Sequence, residues 1–352
     1  MTDPRLAHAT EFGRMYSRSL SFAPEVPSIT TVIAQEAKDM TGWAGHMAAT
    51  ELVNDPRLPG AVGSAPTLRG LAREASSAAE RFRDAAAARG DRVHAYAEQV
   101  SLAALGAPGA DPDGARRVLA EHGDVRFADR FDEWWQLYGV RPIAAEITVW
   151  NHTVGYAGTL DLVAEIGGRL CLIDFKTKGL TRDGRAKPLS ESVVMQLVAG
   201  LRAEEMLVDP VAGTWSPWAY GQGAGGEDAM LLAVAISEAE VVPVQASPSG
   251  LRAHWRKFWA LRQVWEHSRA VTETGRALRP IGPPPAGAGV GAVTPPAQAS
   301  SDVQLAGSGA DTGSGAPGGP VAGTVSGSAN GVANGVANGA VSQRPSQFPS
   351  SS

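Results

Sequence analysis

Two short aliphatic runs joined by Gly167-Gly168 constrain this chain more than any other feature. Residues 157–166 and 169–176 are rich in Leu, Ile and Val, and a Gly-Gly pair between such runs signals a two-residue hairpin turn. With the glycines as the turn, Ile166 faces Arg169 and the numbers of every cross-strand pair sum to 335. Asp161 then faces Asp174. Directly opposed residues on antiparallel strands have Cβ atoms only about 4.5–5.5 Å apart, and like charges there destabilise the sheet. Leu160, Leu162, Val163, Leu172, Ile173 and Phe175 are apolar on both faces of the ladder, which predicts a buried central hairpin. At intermediate dielectric two such carboxylates repel by about a few kcal/mol, and a divalent cation between them reverses the sign. Lys176 lies two residues beyond Asp174, so the period of two places its ammonium on the same face. A metal and a lysine at one point suit phosphoryl chemistry, with a phosphodiester as the natural substrate. The competing reading is a solvated surface pair, which the apolar neighbours disfavour.

Around this hairpin the pattern predicts a further strand at 145–150, a helix over 190–207 and strands at 229–236 and 241–245. A Trp-rich helix is predicted over 251–271. Residues 1–26 show no clear period and read as a poorly ordered arm. From Pro27 onward, Ser28, Thr30 and Thr31 are potential N-caps for one helix reaching Met47. A longer helix is predicted over 68–105, with Gly90 as its break or packing point. The expected fold class is therefore α/β, with a central mixed sheet flanked by helices in one domain over 27–280. That domain divides into a helical part at 27–106 and a catalytic sheet with its helices at 140–271. From 281 to 352 the charged residues are Asp302, Asp311 and Arg344 and the aromatic is Phe348, a composition expected to form a disordered tail.

Composition excludes several classes. The net charge of −5 rules out nucleic-acid binding by bulk positive charge, so any such contact needs a local basic track or a bound metal. Cys171 is the one cysteine, which permits no internal disulfide and no iron–sulfur cluster held by this chain's own thiolates. No apolar run approaches the roughly 18–20 residues of a membrane span, and the first residues lack the apolar segment of a signal peptide. A cytoplasmic protein without a membrane partner is expected, and the sequon at Asn151-His152-Thr153 then has no role.

Gly158-Thr159-Leu160-Asp161 followed by Ile173-Asp174-Phe175-Lys176-Thr177 resembles the active-site motif of the PD-(D/E)XK nuclease superfamily, in its RecB-like exonuclease branch. That branch carries an upstream Arg-Gly-x-x-Val-His-x-x-x-Glu helix, which residues Arg89, Gly90, Val93, His94 and Glu98 match, and a downstream helical glutamine, which Gln196 matches. The resemblance covers about residues 27–271. It implies a restriction-endonuclease-like core binding Mg²⁺ or Mn²⁺. His94, Asp161 and Asp174 are then the metal ligands, with the Phe175 carbonyl as a fourth. Lys176 is the catalytic lysine, and Gln196 orients the site or touches DNA. Imidazole ligation favours Mn²⁺. Relatives in CRISPR spacer acquisition hold an iron–sulfur cluster on four cysteines, which this chain lacks. Where the family often has tyrosine four residues after the glutamine, this chain has Gly200. The implied activity is DNA hydrolysis, most simply by an exonuclease of recombination, repair or phage DNA processing. Its partners would be DNA and a recombination or single-strand-binding protein. An endonuclease on the same core and a non-catalytic DNA-binding scaffold are the alternatives.

Weaker signals surround the motif. Glu98, one helical turn after His94, is placed either to fix the imidazole tautomer or to form a surface pair with Arg92 or solvent. Glu146, at the start of the strand before the hairpin, is a further site carboxylate. Lys178, Arg182, Arg185 and Lys187 follow the catalytic strand in a flexible loop suited to gripping DNA. In the 251–271 helix, Trp255, Phe258, Trp259 and Trp265 are read as core, with Arg252, Arg256, Lys257 and Arg262 outside. Gly221-Gln-Gly-Ala-Gly-Gly226 matches a dinucleotide fingerprint in letters, but it opens no helix and is read as a loop.

Overall fold

The computed structural model describes residues 4–221 and 228–283. The expected tail beyond 283 and most of the glycine run at 221–226 lie outside the described residues. The N-terminal segment is not an arm: β1 (Ala7–Thr10), β2 (Gly13–Tyr16) and β3 (Val26–Pro27) form an antiparallel three-stranded sheet. Strands this short carry too few alternations to show a period in sequence. They hold because Leu6 and Tyr16 are buried with Trp150 and Ala157 of the main body.

The helix expected from Ser28 to Met47 is two helices. Ser28 caps α1 (Ile29–Ile33) by accepting the Thr31 N–H at 2.9 Å, and α2 (Thr41–Asn54) begins only after Asp39 accepts the Thr41 N–H. After α3 (Leu58–Ala61) and α4 (Ala65–Ala75) comes the 27-residue α5 (Ala78–Ala104). The break in the expected 68–105 helix falls at Ser76-Ser77, where both hydroxyls turn back onto main-chain carbonyls. Gly90 continues α5 without interruption. Two helices had no forecast: α6 (Pro112–Glu121), capped by Asp111 onto the Gly114 N–H, and α7 (Val125–Leu137).

The remainder supplies β4 (Arg141–Asn151), β5 (Tyr156–Ile166), β6 (Arg169–Thr177), α8 (Ser192–Leu201), β7 (Glu205–Asp209), β8 (Thr214–Pro217), β9 (Met230–Ile236), β10 (Val241–Gln245) and α9 (Leu251–Glu273). The helix expected over 190–207 stops at Leu201 because Glu205 and Met206 pair with β4. The main sheet runs β10-β9-β6-β5-β4-β7-β8, with β6 and β9 parallel and the other neighbours antiparallel. It is a seven-stranded mixed sheet flanked by helices, the α/β class expected.

Alternation along the central strands divides the core. Leu162, Ile173, Phe175 and Val234 face α5 and α7, meeting Val93, Tyr96, Phe131 and Trp134. Val163, Leu172 and Leu231 face α8, meeting Val193, Leu197 and Leu201. Each large side chain so buried contributes about 1.5–3 kcal/mol, which fixes the helices against both faces. On α9, Phe258 and Trp265 are buried as expected, but Trp259 is half exposed. Arg262 is not on the outer face: it is buried, donates through Nε to the Gly155 carbonyl and pairs with Glu266. Asn151 of the apparent sequon is buried with its amide donated to the Arg202 carbonyl.

Candidate active site

The turn at Gly167-Gly168 has φ of 59° and 77°, left-handed at both positions, as a primed hairpin turn requires. It sets the expected register, with pairs summing to 335 from Ile166 opposite Arg169 to Leu162 opposite Ile173. There the ladder stops. Beyond that point β5 stays with β4 as far as Tyr156 opposite Asn151, while β6 stays with β9 as far as Thr177 opposite Ile236. The two central strands thus part at Asp161 and Asp174. Asp161 Oδ2 accepts the Phe175 N–H at 2.7 Å, so a carboxylate replaces a main-chain acceptor at the fork.

A second irregularity lies directly across the sheet. On either side of Glu146, Ala145 faces Leu162 and Ile147 faces Leu160, which leaves Glu146 as the unpaired residue opposite Asp161. Glu146 has φ 51°, and no other non-glycine among the described residues has a positive φ. Left-handed backbone at such a residue costs energy and persists where the surroundings over-determine it. Glu146 stands mid-strand rather than at the strand start expected of it. Glu146, Asp161 and Asp174 therefore occupy one level on three adjacent strands.

Helix α5 brings His94 over this level. Val93, Tyr96 and Ala97 pin that helix to the sheet, and His94 meets the Phe175 ring edge-on at 6.5 Å. His94 Nδ1 lies 3.8 Å from Asp161 Oδ2. Lys176 Nζ lies 2.6 Å from Asp174 Oδ2 as a close ion pair. Glu98, on the same face of α5, is buried one turn beyond His94. A cavity of about 190 Å³ is lined by His94, Glu146, Asp161, Lys176 and Gln196. Asp174 lines the fork behind it together with Gln196 and Leu197 of α8.

The electrostatics follow from crowding like charges away from water. Burial, reinforced by Asp161 and Glu98, pushes the Glu146 carboxyl up to about 9. Burial raises Asp174 to about 6 and Asp161 above its ordinary value, although Lys176 opposes both. Burial and Lys176 bring His94 down to about 4, so at neutral pH its imidazole is uncharged and able to act as a ligand. Burial disfavours the Lys176 ammonium, but Asp174 and Asp161 outweigh it and hold the amine charged.

Nine of the twelve expected site residues gather at the fork and cavity: His94, Glu98, Glu146, Asp161, Asp174, Phe175, Lys176 and Gln196 by side chain or main chain, with Lys178 just beyond β6. Arg182, Arg185 and Lys187 do not line the cavity. Their segment is an ordered turn, with Leu180 bridging Ala186, the Thr181 N–H on the Arg185 carbonyl and the Ala186 N–H on Glu240. Sequence reasoning missed the opposite wall, formed by Arg14 and Tyr16 of β2, Ser28 and Thr30 at the start of α1, and Thr159 of β5. The missed signal was Gly13, whose φ of 95° turns β1 into β2. No protein-family model matches the chain, and no curated protein matches it in sequence.

Proposed function

We propose that this chain is a metal-dependent DNA nuclease built on a PD-(D/E)XK-type core. The observation that carries the reading is the fork, where Glu146, Asp161 and Asp174 share one level beneath His94 and beside Lys176. A purely structural sheet gains nothing from three desolvated carboxylates, and a strained Glu146 adds to their cost.

The donor set fits a hard divalent cation: carboxylate oxygens, that of the buried Asp174 among them, and one neutral imidazole. Among the described residues no three His, Cys, Asp or Glu side chains already form a closed cage. As arranged, Lys176 Nζ neutralises Asp174 in place of a cation. Asp161, Asp174, Glu146 and His94 are the residues that would hold Mg²⁺ or Mn²⁺. Such a cation supplies Lewis acidity, acidifying water and offsetting charge on the phosphate. In the reaction a water oxygen bonds to phosphorus, the ester P–O bond breaks and the departing oxygen takes a proton. Lys176 donates hydrogen bonds to the attacking water and to the phosphate oxygens as their charge grows. Gln196 orients the phosphate from the α8 side, and Glu98 supports the His94 imidazole.

The test is hydrolysis of end-labelled linear DNA, single- and double-stranded, with Mg²⁺, Mn²⁺ or EDTA. The wild type releases label only with metal, and Lys176→Ala and Asp174→Ala abolish release. A covalently closed circle left uncut identifies an exonuclease. Absence of cleavage under every metal, with DNA binding retained, would establish the scaffold alternative instead.

A further inference from the structure

The cavity has two unlike walls. One carries the carboxylates, His94 and Lys176; the other comes from the N-terminal sheet, with Arg14 and Tyr16, and from the start of α1, with Ser28 and Thr30. Arg14 is exposed, and among the described residues no carboxylate pairs with its guanidinium. Lys176, the other basic chain on the cavity besides the neutral His94, is held by Asp174. Arg18, two residues further along, contrasts with Arg14: it is pinned to Glu205 at 2.7 Å and lies over the Trp215 ring. The Arg14 main chain is held firmly, because its carbonyl accepts both the Ser28 N–H at 2.8 Å and the Thr31 hydroxyl at 2.9 Å. The fold therefore fixes the base of this side chain while leaving its charged end free at the mouth of a carboxylate-lined cavity. Beside it the Tyr16 hydroxyl lies 3.1 Å from that of Thr159, and the Ser28 hydroxyl 2.9 Å from that of Thr30.

A free guanidinium next to a row of hydroxyls is the donor set that grips backbone phosphates in nucleic-acid complexes. We propose that Arg14, with Thr30 beside it, binds a phosphate of the nucleic-acid backbone neighbouring the one that is cleaved, so that the strand runs between the N-terminal sheet and the catalytic sheet. This rests on the nuclease reading and deepens it, since it gives the chain a substrate contact in a segment outside the nuclease motif. In a molecule of net charge −5, one fixed cation at the cavity mouth also offsets the repulsion between carboxylates and incoming phosphates.

The experiment compares wild type, Arg14→Ala and Arg14→Lys. Steady-state cleavage of a labelled single-stranded oligonucleotide in Mn²⁺ gives KM and kcat, and fluorescence anisotropy of the same oligonucleotide in Ca²⁺ at several sodium chloride concentrations gives affinity and its salt slope. Arg14→Ala is expected to raise KM and weaken binding about tenfold, with kcat changed less than about threefold, and to lower the salt slope by about one. Arg14→Lys restores most of the salt slope but only part of the affinity, because a point charge lacks the forked geometry. Wild type that cleaves while Arg14→Ala keeps its KM and salt slope overturns the Arg14 assignment and leaves the nuclease intact. Wild type that binds without cleaving overturns the nuclease reading, and a tenfold loss in Arg14→Ala still upholds the phosphate contact. Wild type that neither binds nor cleaves overturns both.

Discussion

At the residue scale, Glu146 gives the sharpest expectation. Its folded-state carboxyl is pushed up to about 9 from an ordinary 4.5, by burial first and then by Asp161 and Glu98. Between those values the native chain holds a proton that the unfolded chain has released. The contribution to stability is therefore complete below about pH 4.5 and is lost as pH rises through about 9. Glu146→Gln removes that slope. Without added metal it is expected to melt above wild type by about 10 °C or more at pH 9 and to differ little at pH 5, as read by thermal unfolding across pH. Parallel pH profiles for the two proteins would show that Glu146 is not the desolvated group. Gly158 sets a second residue-scale test, because a Cβ there would stand 2.6 Å from the Ile29 Cδ1. Gly158→Ala is expected to cost about 1–3 kcal/mol by overpacking, and less in an Ile29→Val background, where that atom is gone. Additive losses in a denaturant double-mutant cycle would contradict the close approach. Gly200 follows the same logic, since a Cβ there would stand 2.7 Å from the Leu160 Cδ2.

At the element scale, α5 is one helix through Gly90, with open space where a Cβ would sit. Gly90→Ala is then expected to raise stability by about 0.5–1 kcal/mol, and a loss measured by denaturant unfolding would mean a break or a close contact at that position. The sequence-based break at Gly90 failed because glycine is a weak punctuator inside a strongly packed helix, whereas Ser76-Ser77 offered the main chain competing hydroxyl partners. The central hairpin was legible because two glycines fix a turn whose register then follows arithmetically. Its consequence for the site was only half legible. Asp161 opposite Asp174 could be counted along the chain, but the parting of β5 and β6 depends on β4 and β9, which are remote in sequence. The skipped pairing at Glu146 has no local signature either, since Ala145-Glu146-Ile147 reads as an ordinary strand. The N-terminal sheet was illegible for the opposite reason: its strands are four residues or fewer, and burial against Trp150 and Ala157 supplies what alternation could not announce.

At the scale of the whole molecule, the fork is a place where the fold opposes itself, and a ligand that relieves the opposition must stabilise the native chain. Three carboxylates with raised pKa values take up protons that metal binding would displace, so affinity for a divalent cation has to increase with pH. Mn²⁺ at about 100 times its dissociation constant contributes about 2.7 kcal/mol, or roughly 5–10 °C in Tm for a domain of this size. The shift is expected to be larger at pH 8 than at pH 6, because at pH 6 Asp174 is about half protonated and displacing the proton that Glu146 holds costs more the lower the pH. Asp161→Asn should remove the shift, since Asp161 touches both the His94 side and the Phe175 main chain at the point where the strands divide. The reading is coupled to function in one direction only. A pH-dependent shift that vanishes in Asp161→Asn places a cation at the fork whether or not DNA is cut, while a shift of equal size in that variant, or one indifferent to pH, puts the cation elsewhere and removes the physical reason for three buried carboxylates to share a level.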